Sequence, residues 1–379
     1  MQSAKKISQQ IPHSTPPFKA DQVGSLLRPA YLLRARDEYA TGKINAGQLR
    51  ETENKAIQEI VRKQEELGFE SITDGELRRA YFHLDFMSKL DGVNITGNIA
   101  ANSDAQEKVD WTPPKLSITG KLKHSQPIQL DDFNVLQSFT RHTPKVSIPS
   151  PTMAHFRGGR DAIDREVYPD LDEFFSDLAQ CYRDEIESLY QAGCRYIQLD
   201  DTNLAYLCDE KMREDACKRG DDPDKLPLIY AKLINEAIAN DHDDLSFGIH
   251  LCRGNHRSNW FAEGGYGPVA EVLFNELDIG AYFLEFDDER SGSFEPLRFV
   301  PEDKQVVLGL ICSKVPELED KKEVHARIEE AARIVPLENL CLSPQCGFSS
   351  THHGNDLTEQ QQWDKLALVK EIADEVWQG

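Results

Sequence analysis

The chain has 379 residues, 39% of them hydrophobic and 28% charged, with a formal net charge of −22. That length allows one large domain or two to three small ones, with chain enough for a sizeable core. So acidic a surface repels phosphate backbones and anionic lipid, which argues against nucleic-acid and membrane partners unless a basic patch exists; the one short basic stretch, "CKRGDD" at 217–222, is flanked by acids and reads as a solvated turn.

Residues 1–17 lack the apolar centre of a secretory signal and the arginines of a transit peptide, and read as a disordered lead-in. No apolar run approaches the ~20 residues of a membrane-spanning helix. The eight cysteines are scattered along the chain. Without an export signal they read as the reduced thiols of a cytoplasmic protein, suited to metal binding or catalysis rather than to disulfides.

In chain order, "FKADQ" (18–22) is the first strand candidate. "AIQEIVRKQEELG" follows, with Ile57, Ile60, Val61 and Leu67 spaced for one helical face and Gly68 suited to the C-terminal cap. "ESIT" (70–73) is the second strand. Residues 91–140, rich in Asn, Gly, Thr and Pro, break the rhythm and are expected to form a β-hairpin insertion before the third strand, "KVSIP" (145–149). "LDEFFSDLAQCYRDEIESLYQAG" places Leu171, Phe174, Phe175, Leu178, Tyr182, Ile186 and Leu189 on one face and stops at Gly193. Then come "YIQLD" (196–200), "SFGIH" (246–250), "YFLEF" (282–286), "VVLGL" (306–310) and "LCLSP" (340–344), with helices expected over 268–276, 319–334 and 358–377. Eight strands alternating with helices predict an α/β protein with a (β/α)8 barrel, TIM type, as a single domain over 18–379. No glycine-rich turn follows the first strand, which disfavours a doubly wound sheet.

In such barrels the chemistry sits at the C-terminal strand ends. Here those ends carry Ser25, Asp74 and Glu76, Asp200 and Asp201, His250 and Cys252, Glu285, Cys312 to Lys314, and Cys346. His250 and Cys252 are two apart in extended chain, so both point the same way. Histidine and cysteine suit zinc, and a catalytic zinc keeps an exchangeable position. On spacing alone, a core histidine beside a small buried thiol stays open. Asp200–Asp201 and Asp74–Glu76 read either as acid/base or amine-binding carboxylates or as helix caps. Cys181, Cys194, Cys208, Cys217 and Cys341 read as structural, His352–His353 as a solvated loop pair, and "DDERSG" (287–292) as a salt-bridged turn whose Arg290 orients a neighbouring carboxylate.

The ordered set "DQVGSLLRP", "ITDGELRR", "YIQLDD", "IHLCRGN", "YFLEFDDERSG" and "LSPQCGF" resembles the catalytic domain of cobalamin-independent methionine synthase. It is most similar to the short, single-domain relatives called methionine-synthase-like or epoxyalkane:coenzyme M transferase-like, over about residues 18 to 377. The resemblance implies zinc held by His250, Cys252, Glu285 and Cys346, with Glu76 and Asp200 on the amino group of homocysteine and Ser25 near its carboxylate. It also implies an S-methyltransferase of methionine biosynthesis, whose partners are a small homocysteine-like thiol and an alkyl donor; a homodimer is left open. Two positions depart from the family. Tyr206 stands near the place of the acid that holds the folate pterin, and Lys314 stands where the family has a histidine that assists proton transfer. Asp201 and Tyr206 are therefore expected at the substrate, and Lys314 among the catalytic groups. Alternative chemistries from the same residues are alkylation of another thiol by an epoxide or similar electrophile, a uroporphyrinogen-type decarboxylase using Arg28, Arg78 and Arg79, and non-catalytic zinc or thiol binding.

Overall fold

The structure, a computed structural model, describes residues 15–96 and 114–377. The strands, in chain order, are β1 (Ser71–Ile72), β2 (Asp91–Thr96), β3 (Lys115–Lys123), β4 (Thr143–Pro149), β5 (Tyr196–Asp201), β6 (Ser246–Leu251), β7 (Ala281–Glu285), β8 (Gln305–Ile311) and β9 (Leu340–Pro344). Seven of them form one parallel sheet in the order β1-β4-β5-β6-β7-β8-β9. Strands β5, β7 and β9 are buried along their whole length, as strands covered on both faces must be.

The eighth position of the expected barrel is taken by residues 18–22, but not as a strand. Ala20 makes a single parallel bridge to Leu342. Toward β1, side chains replace the ladder. Gln22 Nε2 donates to the Ser71 carbonyl at 3.3 Å, Ser71 Oγ to Asp21 Oδ1 at 2.8 Å, and Thr73 Oγ1 to the Gly24 carbonyl at 2.8 Å. The fully buried Asp21 also accepts from Tyr196 OH at 2.8 Å and from Lys145 Nζ at 3.1 Å. A buried carboxylate needs this many donors to offset its lost hydration. The segment is polar because it closes the barrel through side chains.

The expected helices form for the expected reasons. Asn45 and Gln48 make a reciprocal capping box ahead of the Ala46–Glu66 helix, whose buried face includes Ile57, Ile60 and Val61. Gly68 takes φ +85°, a left-handed conformation that only glycine adopts without strain. The Leu171–Gln191 helix buries Phe174, Leu178, Tyr182, Ile186 and Leu189.

The region 91–140 is two things rather than one insertion. β2 and β3 pair antiparallel as a hairpin, and its central residues 97–113 lie outside the described residues, as do residues 1–14 of the expected lead-in. Residues Leu130–Phe139 instead form a helix that buries Phe133 and Leu136 and leads directly into β4. Its apolar positions, Leu130, Phe133, Val135, Leu136 and Phe139, directly follow a stretch rich in turn formers, which hid the helical period in sequence. No helix among the described residues is long and apolar enough to cross a membrane.

Candidate metal centre

Adjacent parallel strands bring the site together. β5 and β6 run in register with Asp200 opposite His250, and β6 and β7 with Leu251 opposite Leu284. The residues just beyond, Cys252 and Glu285, therefore end side by side. Cys346 arrives on the loop after β9. That loop is pinned by the Gly347 carbonyl, which accepts from Asn255 Nδ2 at 2.9 Å and Ser313 Oγ at 3.1 Å. His250, Cys252, Glu285 and Cys346 each offer a ligand atom, and these atoms all lie within 4.8 Å of one another. All four are buried, and the two sulfurs are 3.4 Å apart.

The chemistry of this set fits a divalent, borderline-soft cation. Neither ring nitrogen of the buried His250 has a hydrogen-bond partner among the described residues. A buried imidazole with both nitrogens bare is costly, and coordination would satisfy it. The Cys252 thiol, with His250 beside it, holds Cys346 well below the ordinary thiol value despite burial. The same contact with Cys346, together with burial, pushes Cys252 well above it. A metal bound here would displace the thiol protons. Burial opposes charge on His250, but the Cys346 sulfur, Asp200 and Glu285 outweigh it and raise its pKa.

Glu285 is held from both sides. Its Oε1 accepts from the Arg253 backbone N–H at 3.1 Å and its Oε2 from Arg290 Nη2 at 3.2 Å. Arg290 does orient a neighbouring carboxylate, and it pairs with Asp287 at 3.0 Å as well. Arg253 is fully buried, its guanidinium donating to Tyr266 OH at 2.8 Å and the Gly264 carbonyl at 2.7 Å. Neither Arg253 nor Tyr266 was singled out from sequence; the adjacency of Arg253 to Cys252 was the available signal.

A cavity of about 310 Å³ opens onto this group. Ser25, Glu76, Asp200, Asp201 and Tyr206 lie on its wall beside His250, Cys252 and Cys346. Tyr81, Phe82, Phe156 and Phe261 supply apolar surface that the strand-end reading did not anticipate. Lys314 is not on the wall.

The two strand-five acids have different jobs. Asp200 is pushed up to about 7 by burial and then by Glu76, against the opposing pull of His250 and a 2.7 Å hydrogen bond from Gln198 Nε2. Asp201 has both oxygens engaged, one by Thr152 Oγ1 at 2.5 Å and one by the Leu204 N–H at 2.8 Å. Its Oδ1 thus holds the start of the turn Asn203–Tyr206, and Asp201 also stands on the cavity wall, where the sequence reading expected it. Glu76 sits at φ +52°, a left-handed conformation unusual for a non-glycine residue, after the tight turn at Asp74–Gly75. Arg79 Nε pairs with Glu76, and Arg79 Nη1 reaches the Ser350 carbonyl at 2.7 Å, so one guanidinium links the acid to the Cys346 loop. Ser25 Oγ faces Gly347, where an added Cβ would lie 1.9 Å from it. His352 and His353 are half-buried rather than solvated, with ring centroids 3.9 Å apart, because the loop folds back against Tyr81 and His256.

The family model for the catalytic domain of the cobalamin-independent synthase matches residues 18–373. The chain belongs to this family. Its relatives include an uncharacterized protein, YxjH, of Bacillus subtilis (strain 168), 48% identical over 95% of each chain. The methionine synthase of Pyrococcus horikoshii is 26% identical over 86% of this chain and 85% of its own. Among solved structures, a Listeria monocytogenes protein provisionally assigned as a vitamin-B12-independent methionine synthase is 42% identical, with a TM-score of 0.78 over 96% of this chain and 99% of its own. Membership supports a methyltransferase role, and the fold is of the TIM-barrel type expected from sequence, with seven of the eight expected strands formed among the described residues.

Proposed function

We propose that the protein is a zinc-dependent thiol alkyltransferase that methylates homocysteine to methionine. One observation carries the reading: His250, Cys252 and Cys346 of a buried His/Cys/Glu/Cys group line a cavity whose wall also carries the two acids Asp200 and Glu76. His250, Cys252, Glu285 and Cys346 would hold zinc. Zinc bound there would lower the pKa of a coordinated thiol and keep its sulfur available as a nucleophile.

The chain's own residues do the rest. Asp200 and Glu76 accept hydrogen bonds from the substrate ammonium, and that positive charge draws Asp200 toward its ionised form. Arg79 keeps Glu76 in place. Ser25, pressed against Gly347, marks the carboxylate end. Arg253 N–H and Arg290 keep the Glu285 carboxylate satisfied while the sulfur approaches. The aromatic wall excludes water and seats the alkyl donor, so orientation supplies much of the rate.

Tyr206 at the place of the pterin-holding acid supports a second reading, in which another alkyl electrophile such as an epoxide replaces the folate donor. Metal analysis of the purified protein tests the centre: stoichiometric zinc in the wild type, and its loss in Cys252→Ser and Cys346→Ser, is the expected result. A zinc-free wild type that takes up none on addition refutes the proposal. Homocysteine consumption with methyl-folate, methylcobalamin and an epoxide in parallel separates the donors.

A further inference from the structure

Among the described residues no ladder joins β1 to β9, and residues 18–22 fill the seam between them with a single bridge to β9. The candidate site straddles this seam. Cys346 follows β9, and Glu76 follows the two-residue β1. Asp200, the other acid, is paired with His250 in the β5–β6 ladder, so backbone hydrogen bonds fix its place relative to the metal ligands. No ladder does this for Glu76, whose φ of +52° is a strained conformation that its surroundings must hold.

Two arginines stitch the seam at this end. Arg28 works on backbone and on a hydroxyl: its Nη2 donates to the Glu76 carbonyl at 2.9 Å and the Arg79 carbonyl at 2.7 Å, and its Nη1 to Ser349 Oγ. The His352 N–H adds a bond to the Ala80 carbonyl at 2.8 Å. Arg79 takes hold of the acid itself, and among the described residues it is the one group that hydrogen-bonds the Glu76 carboxylate. Its Nε donates to Glu76 Oε2, its Nη1 to the Ser350 carbonyl at 2.7 Å and its Nη2 to the Ser349 carbonyl at 3.4 Å. Ser350 Oγ in turn lies 3.6 Å from Cys346 Sγ. A guanidinium is planar with its donors in a fixed fork, so it sets the distance between acceptors on its two sides.

We propose that Arg79 sets the length of amino-acid thiol that the site accepts. A substrate with its ammonium on Glu76 and Asp200 and its sulfur on the metal engages two places at once. The second contact adds affinity only when the chain between nitrogen and sulfur matches their separation. Arg79 holds that separation by bonding Glu76 on one side and the Cys346 loop on the other. Homocysteine has one methylene more than cysteine between Cα and sulfur, and a fixed separation suits only one of the two. Arg79 acts through Glu76 and Ser350, so it is a positioning residue. This inference rests on the zinc-thiol reading above.

The test uses Arg79→Met, which removes the fork, and Arg79→Lys, which keeps the charge but reaches one side at a time. Arg28 and the His352–Ala80 bond stay in both variants to hold the backbone. Metal content is read first. The cobalt-substituted proteins are then titrated with L-homocysteine, L-cysteine and 1-propanethiol, each followed by its thiolate-to-cobalt absorption. The wild type is expected to bind homocysteine on the order of tenfold or more tightly than cysteine. In both variants that ratio is expected to fall to about threefold or less, while metal content and the affinity for 1-propanethiol, which has no amine, stay at the wild-type level. A damaged scaffold would lower those last two as well. A metal-loaded wild type that binds the two amino-acid thiols equally overturns the assignment, as do variants that lose metal and any variant, Arg79→Lys included, that keeps the wild-type ratio. A wild type that takes up neither zinc nor cobalt removes the proposed function itself, so the two failures are distinct.

Discussion

Asp200→Asn removes a titration that the fold makes costly. Burial and Glu76 move the carboxyl from 3.8 to about 7 in the folded protein. A carboxyl raised in this way favours folding at low pH, where both states are protonated, and that contribution is lost as pH rises from about 4 to about 7. Between pH 5 and pH 8 the loss covers about two pKa units, or about 2.7 kcal/mol. Asparagine keeps the oxygen that accepts from Gln198 Nε2 at 2.7 Å and carries no charge. The metal-free variant is therefore expected to gain on the wild type as pH rises. At about 2.1 cal/mol/K per residue the unfolding entropy is about 0.8 kcal/mol/K, so the gain is about 3 °C in Tm between pH 5 and pH 8. Thermal scans of EDTA-treated wild type and variant, across that range, measure it. The same substitution should weaken homocysteine binding and flatten its improvement with pH near 7, because the ammonium loses its charged acceptor. A Tm difference that does not change with pH refutes the reasoning, since the cost of burying this carboxylate would then be absent.

Lys145→Met tests closure of the barrel. It removes the ammonium that meets Asp21 with both side chains fully buried, leaving a buried carboxylate underpaired at a cost of about 3–5 kcal/mol. Denaturant unfolding should show this loss, and adding Asp21→Asn should recover part of it; a double variant no better than the single contradicts the account. Gly347→Ala places a methyl 1.9 Å from Ser25 Oγ and must displace that hydroxyl. A fall in kcat/KM on the order of 10²-fold is expected, partly restored by Ser25→Gly in the same chain, and unaltered kinetics would show that Ser25 does not border the substrate.

The helical faces of the Ala46–Glu66 and Leu171–Gln191 segments were legible because their periodicity is local and strong. The Leu130–Phe139 helix was not, since its apolar residues follow directly on a hairpin region rich in turn formers. Residues 18–22 were a strand candidate in sequence, yet they join β9 to β1 largely through Asp21, Gln22 and their side-chain partners. Sequence left the two acids at the end of β5 open between functional carboxylates and helix caps. Whether each is free or capped depends on Thr152, Leu204 and Gln198, which lie two to forty-nine positions away.

The sequence by itself determined the alternation of strands and helices, and with it which residues stand at the C-terminal strand ends, because side-chain period and strand polarity are properties of a few neighbouring residues. It also supplied the donor types at positions 250, 252, 285 and 346. Only the tertiary structure decided that these four atoms fall within 4.8 Å of one another, that the Lys314 ammonium is buried without a hydrogen-bond partner among the described residues, and that both oxygens of Asp201 are engaged. Those outcomes depend on how the curved sheet sets one strand end against the next, which no local pattern encodes.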